Sequence, residues 1–316
     1  MPSERARLIA LLDQMQAADG AGAAALAQWV ASCADPRLRG GLRVLQSRDA
    51  CHARLAADRL AALGVAAEAA PSRNLTALLH VLAAPGVGDR SKLAILIARF
   101  PLQPDDPFVP LVGAIADDDE TRALLETIAD DDRVSLRWLR ELGSAPPVIA
   151  GALDPDDRAE VASCLDALLA AEAASAAVLD AWAARCGLPG LRGGLHTLAA
   201  REATHARLCA ERLAALGMEP RARLSARHQE AAVTYFGHGA VVDEDKLATV
   251  LARYPTDDDA GAPVLAMADR LAADPETREL LRVVAAAEVV TVAWLRSYHA
   301  ALVAGPTLAG DRPANG

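Results

Sequence analysis

Residues 38–64 read LRGGLRVLQSRDACHARLAADRLAALG, and residues 191–217 read LRGGLHTLAAREATHARLCAERLAALG. Nineteen of these 27 positions are identical at a constant offset of 153. The same offset carries Asp19 onto Glu172, Trp29 onto Trp182 and Cys33 onto Cys186. Lys92-Leu93-Ala94 matches Lys246-Leu247-Ala248 at 154, and Glu120-Thr121-Arg122 matches Glu276-Thr277-Arg278 at 156, as Trp138 matches Trp294. Small shifts of this kind are insertions that loops tolerate. A helical solenoid repeats every 33–47 residues or so, much less than this period. The sequence therefore predicts two tandem units, 1–146 and 147–304, joined within the proline-containing Gly143–Asp157 stretch, with 305–316 as a disordered tail.

Composition fixes the class. Of 316 residues 53% are apolar but only 3% aromatic, so the apolar content is mostly Ala, Leu and Val. Ala and Leu favour helices, while strands prefer aromatic and β-branched residues, so the chain reads as all-α. A formal charge of −10 repels a phosphate backbone, which argues against a nucleic-acid partner. Five cysteines without a Cys-x-x-Cys pair read as buried thiols of a reduced, cytoplasmic chain. The start, Met-Pro-Ser-Glu-Arg-Ala-Arg, leads into an amphipathic helix and not an apolar signal core. No run of about 20 strongly apolar residues is expected, hence no membrane partner.

Each unit reads as four helices. In the second unit the first covers about 157–185 and the second about 191–216, stopped by Gly217 as a C′ glycine. About 25 residues follow, too many for a tight hairpin. A third helix starts near Asp243, breaks at Tyr254-Pro255-Thr256-Asp257-Asp258-Asp259 and resumes to about Ala272. The fourth begins at the Asp274-Pro275-Glu276 cap and runs to about Leu302.

Three acids fall on apolar stripes. Glu172 has Leu168, Leu169, Ser175 and Ala176 three and four positions away; Glu202 has Leu198, Ala199, His205 and Ala206. Glu288 has Val284, Ala285, Thr291 and Val292. Such a stripe faces inward in a bundle, where a carboxylate must be paired, protonated or bound to a metal. At about 1.5 Å per residue the three lie near one level along their helices, with the Asp257–Asp259 break at a similar height.

Glu202-Ala203-Thr204-His205 is a Glu-x-x-His motif, preceded by a lone acid on the first helix. With two hairpins joined by a long crossover, this resembles the ferritin-like superfamily of di-iron carboxylate proteins. There, one Glu comes from each of two helices and a Glu-x-x-His from each of the other two. The resemblance implies two tandem ferritin-like four-helix bundles related by internal duplication. It also implies iron, or another divalent metal such as manganese, as cofactor, with dioxygen or a small molecule as substrate; an oligomer is compatible with it. The implied ligands in the second unit are Glu172, Glu202, His205 and Glu288, with Asp258 or Asp259 from the third helix. In the first unit the equivalents are Asp19, Asp49, His52 and Asp132, each carboxylate one methylene shorter. The place of the second histidine holds Thr291 in one unit and Ser135 in the other.

Three functional readings follow. One is a non-haem metal-binding oxidoreductase with an incomplete di-metal carboxylate site in the second unit. The alternative is a metal-free bundle serving as a binding or scaffold module, its acids paired with His205, His52 or an inward-turned Arg201 or Arg48. A weaker third is a redox-inactive metal such as zinc in hydrolytic chemistry. The tryptophans, matched two per unit, are expected to fill core or interface space.

Overall fold

The computed structural model describes residues 3–100, 108–149, 151–221 and 225–304; the expected tail at 305–316 lies outside them. Among the described residues the chain is all-α, without a strand. The first half contains α1 (Glu4–Ser32), α2 (Pro36–Ala62), α3 (Arg73–Ala83), α4 (Asp89–Arg99), α5 (Phe108–Gly113) and α6 (Asp119–Ser144). The second contains α7 (Pro155–Ala183), α8 (Pro189–Ala215), α9 (Ala226–Phe236), α10 (Asp243–Leu251), α11 (Asp258–Arg270) and α12 (Pro275–Ala304). The long helices thus fall where the periodicity places them. The third helix is interrupted where expected, α10 stopping at Leu251 and α11 starting at Asp258 beyond Pro255, while α9 occupies the crossover, where no helix was expected. Among the described residues each half has six helices and not four.

Local signals explain the ends of the long helices. Asp35 caps α2 by accepting from the Arg37 N–H, and Asp154 caps α7 by accepting from Asp157 N–H, each followed by an N1 proline. Gly64 and Gly217 sit at φ +76° and +72°. There the N–H of Val65 donates to Leu60 O and that of Met218 to Leu213 O, closing matched Schellman turns.

Packing interlocks the two halves. Within each half the first two helices form an antiparallel hairpin, α1 on α2 and α7 on α8. The last helix of each half, however, packs along the second helix of the other half far more than along that of its own: α6 along α8, and α12 along α2. Glycines permit this approach, since a Cβ on Gly40 would overlap the Glu276 carbonyl and one on Gly193 the Glu120 carbonyl. Matched ion pairs lock both crossings, Arg39 Nη2 to Glu276 at 2.7 Å and Arg192 Nη2 to Glu120 at 3.0 Å. One core consequently runs through both halves, with Leu42, Leu45 and Trp138 joined to Leu165, Leu208 and Leu280. Trp29 and Trp182 fill matched interior places, each indole N–H donating at 2.8 Å to an aspartate opening a short helix, Asp89 and Asp243.

α7 departs from the expectation that no segment is apolar enough to span a bilayer. An 18-residue window of α7 has a mean hydropathy of 1.6, so by length and composition this helix is apolar enough to cross a membrane. Alanines raise that average without adding bulk, and α7 packs along α8 while burying Glu172.

Candidate metal centre

α7 supplies Glu172, α8 supplies Glu202 and His205, and α12 supplies Glu288. The three-residue spacing on α8 sets its two donors on one face. One donor atom from each of the four residues lies within 4.8 Å of all the others. His205 Nδ1 stands 3.5 Å from Glu172 Oε2 and 3.5 Å from Glu288 Oε1. Glu172, Glu202 and His205 are buried, and the Glu288 side chain keeps 18% of its exposure. His205 Nδ1, Glu172 Oε2 and Glu288 Oε1 are buried without a hydrogen-bond partner.

Burial, then the neighbouring Glu288 charge, pushes the Glu172 carboxyl up to about 8. Burial followed by the charges of Glu288 and Glu172 holds Glu202 well above the ordinary carboxylate range, and its carboxyl hydrogen-bonds Glu172. The pair is thus protonated near neutral pH without a metal. A divalent cation would relieve the same crowding by a different route. Metal–oxygen and metal–nitrogen distances of about 2.0–2.2 Å put opposite donors about 4.0–4.4 Å apart, so 4.8 Å needs adjustments of only tenths of an ångström. Mixed carboxylate and imidazole donors suit Fe(II) or Mn(II).

The two other residues read as second-half ligands stand apart. Asp258 and Asp259 are exposed at the start of α11, and Asp259 Oδ2 accepts from the Thr256 N–H and hydroxyl at 2.7 and 2.8 Å. Asp259 thus serves its own turn, and Asp257 Oδ1 accepts from Arg296 Nε at 2.8 Å.

In the first half Asp19, Asp49, His52 and Asp132 gather more loosely, and no comparable donor group closes there among the described residues. Burial and the Asp132 charge raise Asp19 to about 7, and burial with Asp19 and Asp132 raises Asp49 well above its usual range. The Asp132 side chain is 54% exposed and 3.9 Å from His52 Nδ1. With Asp19 it borders an open cleft of about 370 Å³. His52 Nε2 points elsewhere, 3.1 Å from Asp131 Oδ2.

Asp131 is the residue the sequence reading missed. The Asp130–Asp132 run reads as a solvated face apart from Asp132, yet Asp131 is 1% exposed and sits between two buried arginines. Arg201 Nε approaches its Oδ1 to 3.1 Å and Arg48 Nε to 3.6 Å. Each arginine also donates to the hydroxyl at its own unit's missing-histidine place: Arg48 Nη1 to Ser135 at 2.7 Å, Arg201 Nη1 to Thr291 at 2.5 Å. Asp131 and Asp132 have nearly the same helical neighbours, Ile128 and Ser135 among them, so periodicity alone does not choose between them. The matching position in the second half is Ala287, fully buried, so His205 has no such partner there.

All five cysteines are free and buried. Cys209, fully buried on α8, has its thiol raised by burial and then by Glu172, which suits it to packing and not to ligation. No family model matches the chain, and no curated protein or solved structure is significantly similar to it.

Proposed function

We propose that the chain is a non-haem metal-binding oxidoreductase whose centre lies in the second half, with Glu172, Glu202, His205 and Glu288 holding iron or a related divalent metal such as manganese. The architecture we attach to this reading is a duplicated pair of ferritin-like bundles whose helices have interlocked. The observation that carries the reading is the convergence of four donors within 4.8 Å, three with buried atoms that lack a hydrogen-bond partner. Unpartnered buried polar atoms cost about 1–3 kcal/mol each, and a cation answers all three at once.

An iron ion held there would supply the binding and reduction of dioxygen. The chain's own groups do the rest. In the metal-free chain Glu172 and Glu202 each hold an exchangeable proton near neutral pH. Glu288 alone of the four reaches toward solvent, and Tyr254 lies close enough for the Glu288 charge to add to burial in raising its phenol. Val284, Leu168 and Leu198, all buried around the acids, exclude bulk water.

The metal-free scaffold reading has its own support in the first half, where Asp131 takes up both His52 and Arg48. That half then braces the centre and does not duplicate it. The test is oxygen uptake after anaerobic loading with Fe(II), compared with Glu202→Ala/His205→Ala. Uptake in the parent and none in the variant supports the oxidoreductase; equal rates in both would reject it.

A further inference from the structure

The arginine on α8 bears on how many ions the centre takes. A two-metal site separates its ions by about 3.5–4 Å, and each needs donors of its own. Here the four residues bring one donor atom each to within 4.8 Å of the others, a ligand set for one ion, and Asp258 and Asp259 are exposed. Thr291, one turn beyond Glu288 where a second histidine would stand, is already engaged by the Arg201 guanidinium at 2.5 Å. The void beside Arg201, shared with Arg48, His52 and His205, holds about 10 Å³, room for one water at most.

The geometry points to a centre for a single divalent ion, with the Arg201 guanidinium as the fixed positive charge where a second ion's ligand would be. Asp131 and Thr291 hold that guanidinium in place, so the first half contributes a positioning residue to the second-half centre.

This inference rests on the proposed metal-binding reading, and the test separates the two. Mn(II) is titrated into the full chain carrying Asp49→Asn, which removes a first-half acid, and is followed by electron paramagnetic resonance and by bound-metal stoichiometry. One ion per chain is expected, with the hyperfine pattern of an isolated Mn(II). Arg201→Gln, in which Asp131 keeps Arg48 and His52, is expected to bind that ion on the order of tenfold more tightly, because a nearby like charge is gone. Two ions with the exchange-coupled pattern of a pair would overturn the single-ion assignment and leave the centre standing. Equal or weaker binding by Arg201→Gln would overturn the role of Arg201. No bound Mn(II) at all would overturn the centre itself.

Discussion

Replacing Asp131 with alanine removes the one carboxylate that stands between two buried guanidiniums. Arg48 and Arg201 are each 4% exposed, so neither can turn to water for compensation. Arg48 Nη2 already lacks a partner, and His52 loses its Nε2 contact as well. Deleting one partner of a buried ion pair costs about 3–5 kcal/mol. With two arginines served by one acid, Asp131→Ala should cost about 4–6 kcal/mol. An unfolding entropy of about 2.1 cal/mol/K per residue over 316 residues gives about 0.66 kcal/mol/K, so Tm should fall by about 6–9 °C. Asp131→Asn, which keeps an acceptor without the charge, should lose less. The triple variant Arg48→Met/Asp131→Leu/Arg201→Met should recover most of the loss, since a whole buried network can be exchanged for apolar side chains at little cost. Calorimetric melts of the metal-free forms read all three. A loss under about 2 °C for Asp131→Ala, or a triple variant no better than the single, would refute the assignment of Asp131 as the shared counter-charge.

Two further outcomes follow from the buried acids. Glu172 and Asp19 have folded-state values raised to about 8 and about 7. The folded chain therefore holds more protons than the unfolded one between pH 4 and 8, and that stabilisation is lost as pH rises through 7 to 8. Asp118, Asp274 and Glu276 are depressed despite burial, by Thr121 and Arg59, by Arg212 and Thr277, and by Arg39 and Arg212 respectively; their contribution disappears as pH falls below about 4. Melts of the metal-free protein should peak near pH 5 and decline toward pH 9, and Glu202→Gln should flatten the decline; a rising Tm from pH 5 to 9 would contradict this. Binding of Mn(II) near pH 7 should release close to two protons, those on Glu172 and Glu202, falling toward one above pH 8. Calorimetry in buffers of different ionisation enthalpy measures the number, and a value near zero would contradict the protonated pair.

The fold was legible where the signal is repetition and composition. The 153-residue offset located α2 and α8 together, and alanine- and leucine-rich periodicity located the long helices. Interlocking was not legible, because Gly40 and Gly193 announce a close approach without saying which helix arrives. The break in the third helix was legible from Pro255 and the aspartates beyond it, whereas α9 in the crossover was not. At the site, Glu172, Glu202, His205 and Glu288 were legible because each is an acid or imidazole on an apolar stripe. Asp258 and Asp259 were misplaced by a height argument that ignored their own turn. Asp131 and Asp132 differ by 100° on one helix, and only the partner arginine on the other half decides which is buried.

Metal binding by the second-half cluster is the core of the proposed function. Its most direct test is the metal content, by mass spectrometry, of protein expressed with added iron, beside the Glu202→Ala/His205→Ala variant. One iron per chain in the parent and none in the variant is the predicted result. A metal-free parent, with a variant that melts at the same temperature, would contradict the centre and leave a polar network in its place.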